Sequence, residues 1–229
     1  MSSSLLFPRL IAEAIGAFTL VFIGVSSIII TGNIIAIAFA HGLAIALMVS
    51  ALGGVSGGHF NPAVTIGFWV TQRIESVSAV AYIVAQLVGA VIGALLVNVL
   101  LPTSLLDITG TLGTPVLDGQ IGFINGIAIE AILTFFLVIV IFGTAVDSRR
   151  PALGGMAIGL AITMDILAGG PLTGAAMNPA RALGPALISG TWTNHLVYWI
   201  GPIIGSLAAA LLYQVVLISK GTEGNSSEA

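Results

Sequence analysis

Asn61-Pro62-Ala63 and Asn178-Pro179-Ala180 are the residues of this 229-residue chain whose types and spacing point most directly to chemistry. Asparagine is among the preferred helix N-caps and proline is favoured at the first helical position, so each triplet starts a helix. A helix start carries partial positive charge, and a side-chain amide beside it offers two hydrogen-bond donors. Two such starts brought together would repel cations and bind water. Arg181 directly follows the second triplet in a stretch otherwise free of charge. Its guanidinium either serves the site, the default for a charge at membrane depth, or snorkels to an interface. Glu13 and Glu130 stand alone in apolar runs, as proton-relay groups or as acceptors for the backbone of the loops before the triplets. Asp165 also lies in an apolar run, where an acid is expensive without a partner; hydrogen bonds to polar groups nearby would hold it.

The elements that must position these residues are set by composition. The chain is 57% hydrophobic and 7% charged, against about 25% charge in an ordinary soluble domain, and its mean hydropathy is +1.14. A soluble globular domain is excluded. Six basic residues and a net charge of −3 leave no surface that could neutralise nucleic-acid phosphates. The absence of cysteine removes disulfides, thiolate metal sites and thiol nucleophiles. His41, His59 and His195 are scattered without metal-ligand spacing, and no nucleophile, base and orienting group suggest an enzyme. No cofactor is implied.

A spanning helix needs about 20 apolar residues. Residues 10–30, 34–55, 78–101, 121–146, 152–170 and 195–218 qualify, which predicts six transmembrane helices. The apolar pieces 61–70 and 178–188, each after a Gly-rich turn, are too short and read as re-entrant half-helices. Arg9, Arg73, Arg149, Arg150 and Lys220 all fall on one side of this topology, and the opposite connections carry no Lys or Arg. The positive-inside rule then puts both termini in the cytoplasm. His195, at the start of the sixth span, reads as an interfacial residue.

The two triplets are 117 residues apart, and the same offset carries Glu13 onto Glu130 and Gly42-Leu43-Ala44-Ile45 onto Gly159-Leu160-Ala161-Ile162. Residues 13–67 and 130–184 share 18 identities in 55 positions, against roughly a tenth expected from biased composition. The halves are a duplication. Three spans per half force the second copy to be inverted, an arrangement that puts sites near the midplane on broken helices. The two asparagines then face each other there. The chain therefore reads as a single membrane domain over residues 1–229, with repeats at about 9–101 and 121–218 and a disordered, Ser/Gly/Glu-rich tail over 220–229.

Ser56-Gly57-Gly58-His59-Phe60-Asn61-Pro62-Ala63-Val64-Thr65 and Thr173-Gly174-Ala175-Ala176-Met177-Asn178-Pro179-Ala180-Arg181 resemble the two signature loops of the aquaporin (major intrinsic protein) family. The paired Glu13 and Glu130 fit the resemblance, which covers nearly the whole chain. It implies an all-α membrane fold of six transmembrane helices plus two half-helices, a homotetramer with one pore per protomer, and passive transport. The family's selectivity filter carries over to His41, Ile166, Ala175 and Arg181, and its cytoplasmic pore histidine to His59. Histidine at the first filter position with isoleucine at the second is similar to plant tonoplast intrinsic proteins, some of which pass ammonia as well as water. Ala182 and Ala186 stand where glycerol facilitators usually have aspartate and a basic residue, and Tyr198-Trp199 resembles the aromatic pair of water channels.

The resemblance thus implies a channel for water, with ammonia, glycerol or other small neutral solutes as further permeants, lying in the lipid bilayer of a cell membrane. Arg181 and His41 would replace part of the hydration shell of a passing water, and Asn61 and Asn178 would orient it so that a proton-conducting chain is broken. Alternatives are a glycerol or small-solute facilitator, an ion-coupled transporter with inverted repeats, and a non-conducting structural membrane protein.

Overall fold

The computed structural model describes residues 3–149, 153 and 155–218. Nine α-helices follow one another within them: α1 (Ser3–Thr31), α2 (Ile34–Ser56), α3 (Pro62–Val70), α4 (Ser76–Leu100), α5 (Thr103–Thr109), α6 (Phe123–Ile141), α7 (Met156–Thr173), α8 (Pro179–Ser189) and α9 (Val197–Leu212). α6 and α9 each close on a π-helical turn, Phe142–Val146 and Tyr213–Leu217. No strand occurs among the described residues. α1, α2, α4 and α7, and α6 and α9 together with their π-helical turns, are long and apolar enough to cross a membrane; α3 and α8 are the two short pieces. The chain is an integral, multi-pass, all-helical membrane protein.

Some expected boundaries move. α1 begins at Ser3 and not near residue 10, and α7 runs to Thr173 through Gly169, Gly170 and Pro171. The glycines that read as a turn are inside the helix, which stops only at Gly174, where φ is +82° and the amide donates to Gly170 O. α5 lies in the 102–120 connection, between α4 and α6. The 220–229 tail, Arg150 and Lys220 lie outside the described residues.

The helices are built inside out relative to a soluble bundle. α4 exposes Val77, Val80, Val84 and Val88, a stripe at helical spacing suited to lipid. Its opposite face buries Ala79, Tyr82, Gln86, Gly89, Ala90, Gly93 and Ala94, so small residues let backbones approach, as membrane helix packing requires. The closest packing repeats between halves. α1 lies on α4 and α6 on α9; at the crossings a side chain on Gly89 would strike Ala14 O, and one on Gly205 would strike Ala131 O. Each half-helix docks on the other half, α3 against α9 and α8 against α4. That interlocking brings the two Asn-Pro-Ala starts together.

Where α6 and α9 end, one tie joins them. Arg149 Nη2 donates to Asp147 Oδ2 (2.6 Å) and to Leu217 O (3.0 Å), and Tyr213 OH donates to the same carboxylate oxygen (3.1 Å). The Arg149 guanidinium holds the Asp147 carboxyl below the usual carboxylate range. A depressed folded value gives stability that is complete above the ordinary aspartate value of about 4 and is lost only as pH falls through the lowered one. Asp147→Asn is therefore expected to lower the thermal midpoint by the same amount at pH 8 and at pH 5, with the gap closing only in stronger acid. A gap that already shrinks between pH 8 and pH 6 would contradict this.

Candidate functional site

The two half-helices start as their sequences require. Asn61 and Asn178 sit in extended conformation (φ −155° and −151°), each followed by proline at the first helical position. Asn61 Oδ1 accepts from Ala63 N (2.9 Å); Asn178 Oδ1 accepts from Ala180 N (2.9 Å) and Arg181 N (3.3 Å). The amide nitrogens reach across to the opposite loop. Asn61 Nδ2 donates to Met177 O (2.8 Å), and Asn178 Nδ2 donates to Phe60 O (3.0 Å). Each amide has two hydrogens, so one on each side remains for the cavity that both asparagines line. Pro62, Ala63, Pro179 and Ala180 are buried around them.

Phe60 and Met177 adopt left-handed backbone, φ +50° and +51°, a conformation that costs about 1–3 kcal/mol unless its surroundings enforce it. The buried glutamates enforce it. Glu13 accepts from Ser56 Oγ (2.6 Å) and His59 N (3.0 Å) on one oxygen, and from Phe60 N (2.7 Å) and Gln86 Nε2 (2.7 Å) on the other. Glu130 accepts from Thr173 Oγ1 (2.7 Å) and Ala176 N (2.9 Å), and from Met177 N (2.7 Å). These bonds tie each carboxylate to the loop that precedes a half-helix. Tyr82 and Tyr198 add a matched pair, donating to Ser56 O (2.8 Å) and Thr173 O (2.9 Å).

The four filter candidates share one place. His41, Ile166, Ala175 and Arg181 all line a narrow central cavity of about 30 Å³, and a water needs about 10–15 Å³ of such space. His41, Ile166 and Arg181 also form the floor of an outer mouth of about 490 Å³. Arg181 is buried, and its Nη1 donates to Gly113 O (3.1 Å) in the long 102–120 connection; it does not snorkel. His41 Nδ1 donates to Ile37 O (2.9 Å), while Nε2 is buried with no hydrogen-bond partner. The expectation that His41 offers a nitrogen to a passing water is therefore not met in this geometry. Of the four candidates, Arg181 carries the cationic donors.

His59 stands at the other end, lining both the central cavity and an inner mouth of about 340 Å³ that also contains Arg9 and Arg73. Thr65 Oγ1 donates to Asn61 O (3.0 Å), so the contact between His59 Nδ1 and that hydroxyl (3.1 Å) requires the hydrogen on Nδ1. His59 thus lines the cavity and is also tied to the first residues of α3. Outer mouth, filter, asparagine waist, His59 and inner mouth lie in series, sharing residues at each junction. Between them the wall is aliphatic: Leu20, Ile45, Val64, Leu137 and Ile162.

Comparison with known proteins agrees with this architecture. The Major intrinsic protein family model matches residues 1–213. The chain belongs to that family. Aquaporin TIP4-4 of Zea mays is 42% identical over 227 residues, covering 92% of this chain and 87% of the relative. Aquaporin-4 of Mus musculus is 40% identical over 216 residues, covering 90% and 66%. Among solved structures, the aquaglyceroporin from Plasmodium falciparum superposes with a TM-score of 0.83 at 25% identity, covering 93% of this chain and 97% of that one. Members of the aquaporin family are channels and not enzymes.

Several working residues of this aquaporin-family channel escape a sequence reading. Ser56 and Thr173 sit at the 117-residue offset and could have been flagged with the glutamates. Gln86 could not, because the matching stretch of α9 has Pro202 and Ile203. Gly113 acts through its carbonyl, which leaves no side-chain signature. The expectation for Asp165 is corrected: it is 1% exposed, its Oδ2 has no partner, and no hydrogen bond joins it to the described residues. The matching position of the first half is Met48. An orphaned buried polar group costs about 1–3 kcal/mol, so Asp165→Leu is expected to raise stability by that order in thermal unfolding of the detergent-solubilised protein. A lower midpoint would show that the carboxyl has a partner after all.

Proposed function

We propose that the chain is a passive pore for water that also admits ammonia or other small neutral solutes and excludes protons and ions. The observation that carries this reading is the waist. Two helix N-termini meet there, and the amides that cap them are each fixed by one bond across the chain midline, with one hydrogen left for the lumen. Waters in the pore would accept those hydrogens and turn their own outward to either side, which leaves no continuous chain for proton transfer. The positive helix ends and Arg181 oppose cations, and an ion stripped of hydration finds too few ligands on an aliphatic wall.

His41, Ile166, Ala175 and Arg181 act as the filter in this reading, and Glu13 and Glu130 as loop supports. The repeats form one channel domain, and the protein works as a homotetramer in a lipid bilayer. Arg9 and Arg73 at one mouth, with Arg149 at the end of α6, support cytoplasmic termini. The membrane is read as the cell membrane; the filter's likeness to plant tonoplast intrinsic proteins favours an internal membrane as the second placement. A glycerol or small-solute facilitator is the second functional reading, favoured by the solved aquaglyceroporin neighbour and by the apolar Ile166 and Ala175. Light scattering by proteoliposomes after an osmotic step separates the two. Fast shrinkage with low activation energy and slow glycerol entry supports the water pore; shrinkage no faster than in empty liposomes, with folded protein, withdraws it.

A further inference from the structure

α1 presents Leu20, Gly24 and Ile28 in succession, each one turn from the last. Leu20 lines the central cavity and Ile28 the outer mouth. Gly24, between them, is buried, and the imidazole of His41 lies against it: a Cβ there would stand 2.6 Å from Cδ2 and 2.7 Å from Cε1, and nearer still to Nε2. Nδ1 of the same ring is tied to Ile37 O (2.9 Å). The ring therefore occupies the volume that a side chain at position 24 would fill, and neither nitrogen is offered to the lumen.

The duplication supplies an internal comparison. The counterparts of Gly24 and His41 are Ile141 and Ile158, and both line the central cavity. The second half builds its wall from two isoleucines, each in its own place. The first half gives the space of both positions to a single ring. A histidine at 41 can lie back from the lumen only because α1 has no side chain at 24.

We infer that Gly24 sets the aperture of the filter, as a positioning residue acting through His41, and so opens the pore to small neutral solutes of the methylamine and urea class. The inference rests on the channel reading above. With the ring withdrawn, the filter is bounded by imidazole carbon, Ile166, Ala175 and the Arg181 guanidinium, wider and less polar than a histidine-arginine pair would make it. A methyl group at 24 would drive the ring about 1 Å inward to restore ordinary carbon contact distances.

The test measures osmotic water permeability and the uptake of urea and methylamine in proteoliposomes for the unmodified protein, Gly24→Ala, His41→Ala, and the double variant. Gly24→Ala is expected to slow urea at least tenfold and water less than threefold. The double variant is expected to match His41→Ala within twofold, because without the ring there is nothing to displace. Three outcomes overturn the inference: an unmodified filter closed to both methylamine and urea, an unchanged urea-to-water ratio in Gly24→Ala, or a double variant as slow as Gly24→Ala. Solid-state NMR in bilayers reads the contact without any transport. A cross-peak between Gly24 Cα and His41 Cδ2 or Cε1 is expected, and its absence overturns the inference. If the unmodified protein conducts no water, the channel reading falls, and the cross-peak still decides the placement of the ring.

Discussion

Arg181→Val raises the proton and small-cation leak of reconstituted protein about ten- to hundredfold, while water permeability changes less than threefold. Arg181 is buried, lines the central cavity and is the one fixed cation among the four proposed filter residues. A unit charge about 4 Å from a passing cation opposes it by roughly 4 kcal/mol at an effective dielectric of 20, a ceiling of about a thousandfold. The leak stays below that ceiling because the half-helix starts at Asn61 and Asn178 keep partial charges of roughly half a unit each. Water carries no net charge and loses only one hydrogen-bond partner. Valine also vacates the space beneath Gly113 O, so urea entry rises about tenfold. Pyranine-loaded proteoliposomes under an imposed potential read the proton leak directly. A leak equal to that of the unmodified protein would place ion exclusion wholly at the waist and remove Arg181 from it.

How much of this was legible beforehand depends on whether a feature leaves a side-chain signature. The six spans show because 20 apolar residues in a row have few other uses, and the half-helices because Asn-Pro is a start signal that needs no tertiary context. Glu13 and Glu130 were readable as a pair since the duplication keeps them in register. Tyr82 and Tyr198 are paired as well, but 116 residues apart and not 117, so a gapless comparison passes over them. Gln86 lacks a polar counterpart altogether. α5 is seven residues long, too short for any periodicity to emerge. The π-helical endings of α6 and α9 are shifts in backbone bonding that composition does not record. Counting from Asn61 singles out His41, which lines the central cavity, yet the direction of its nitrogens depends on Gly24, one more glycine in an apolar helix until the ring is seen against it.

Glu130→Ala is expected to abolish recovery of folded protein, with Glu130→Gln intermediate and Glu13→Gln milder still. Glu130 accepts from Thr173 Oγ1, Ala176 N and Met177 N, all buried. Alanine orphans all three donors at about 1–3 kcal/mol each, a total of the same order as the 5–15 kcal/mol that holds a typical domain together. It also releases Met177 from its left-handed backbone, and with it the carbonyl that anchors Asn61. Glutamine keeps one acceptor oxygen for Thr173 and Ala176 but sets an amide against Met177 N–H, so at least one donor is lost. In the first half the new amide would face Phe60 N and Gln86. Gln86 Oε1 is buried without a partner, so rotation of that side chain supplies an acceptor for the new group. The second half has no such residue. Monodispersity on size exclusion and thermal midpoints in mild detergent should therefore fall in the order unmodified, Glu13→Gln, Glu130→Gln, Glu130→Ala. Equal midpoints for the two glutamine variants would show that Gln86 does not compensate, and a stable Glu130→Ala would mean that the second loop holds its conformation without the carboxylate.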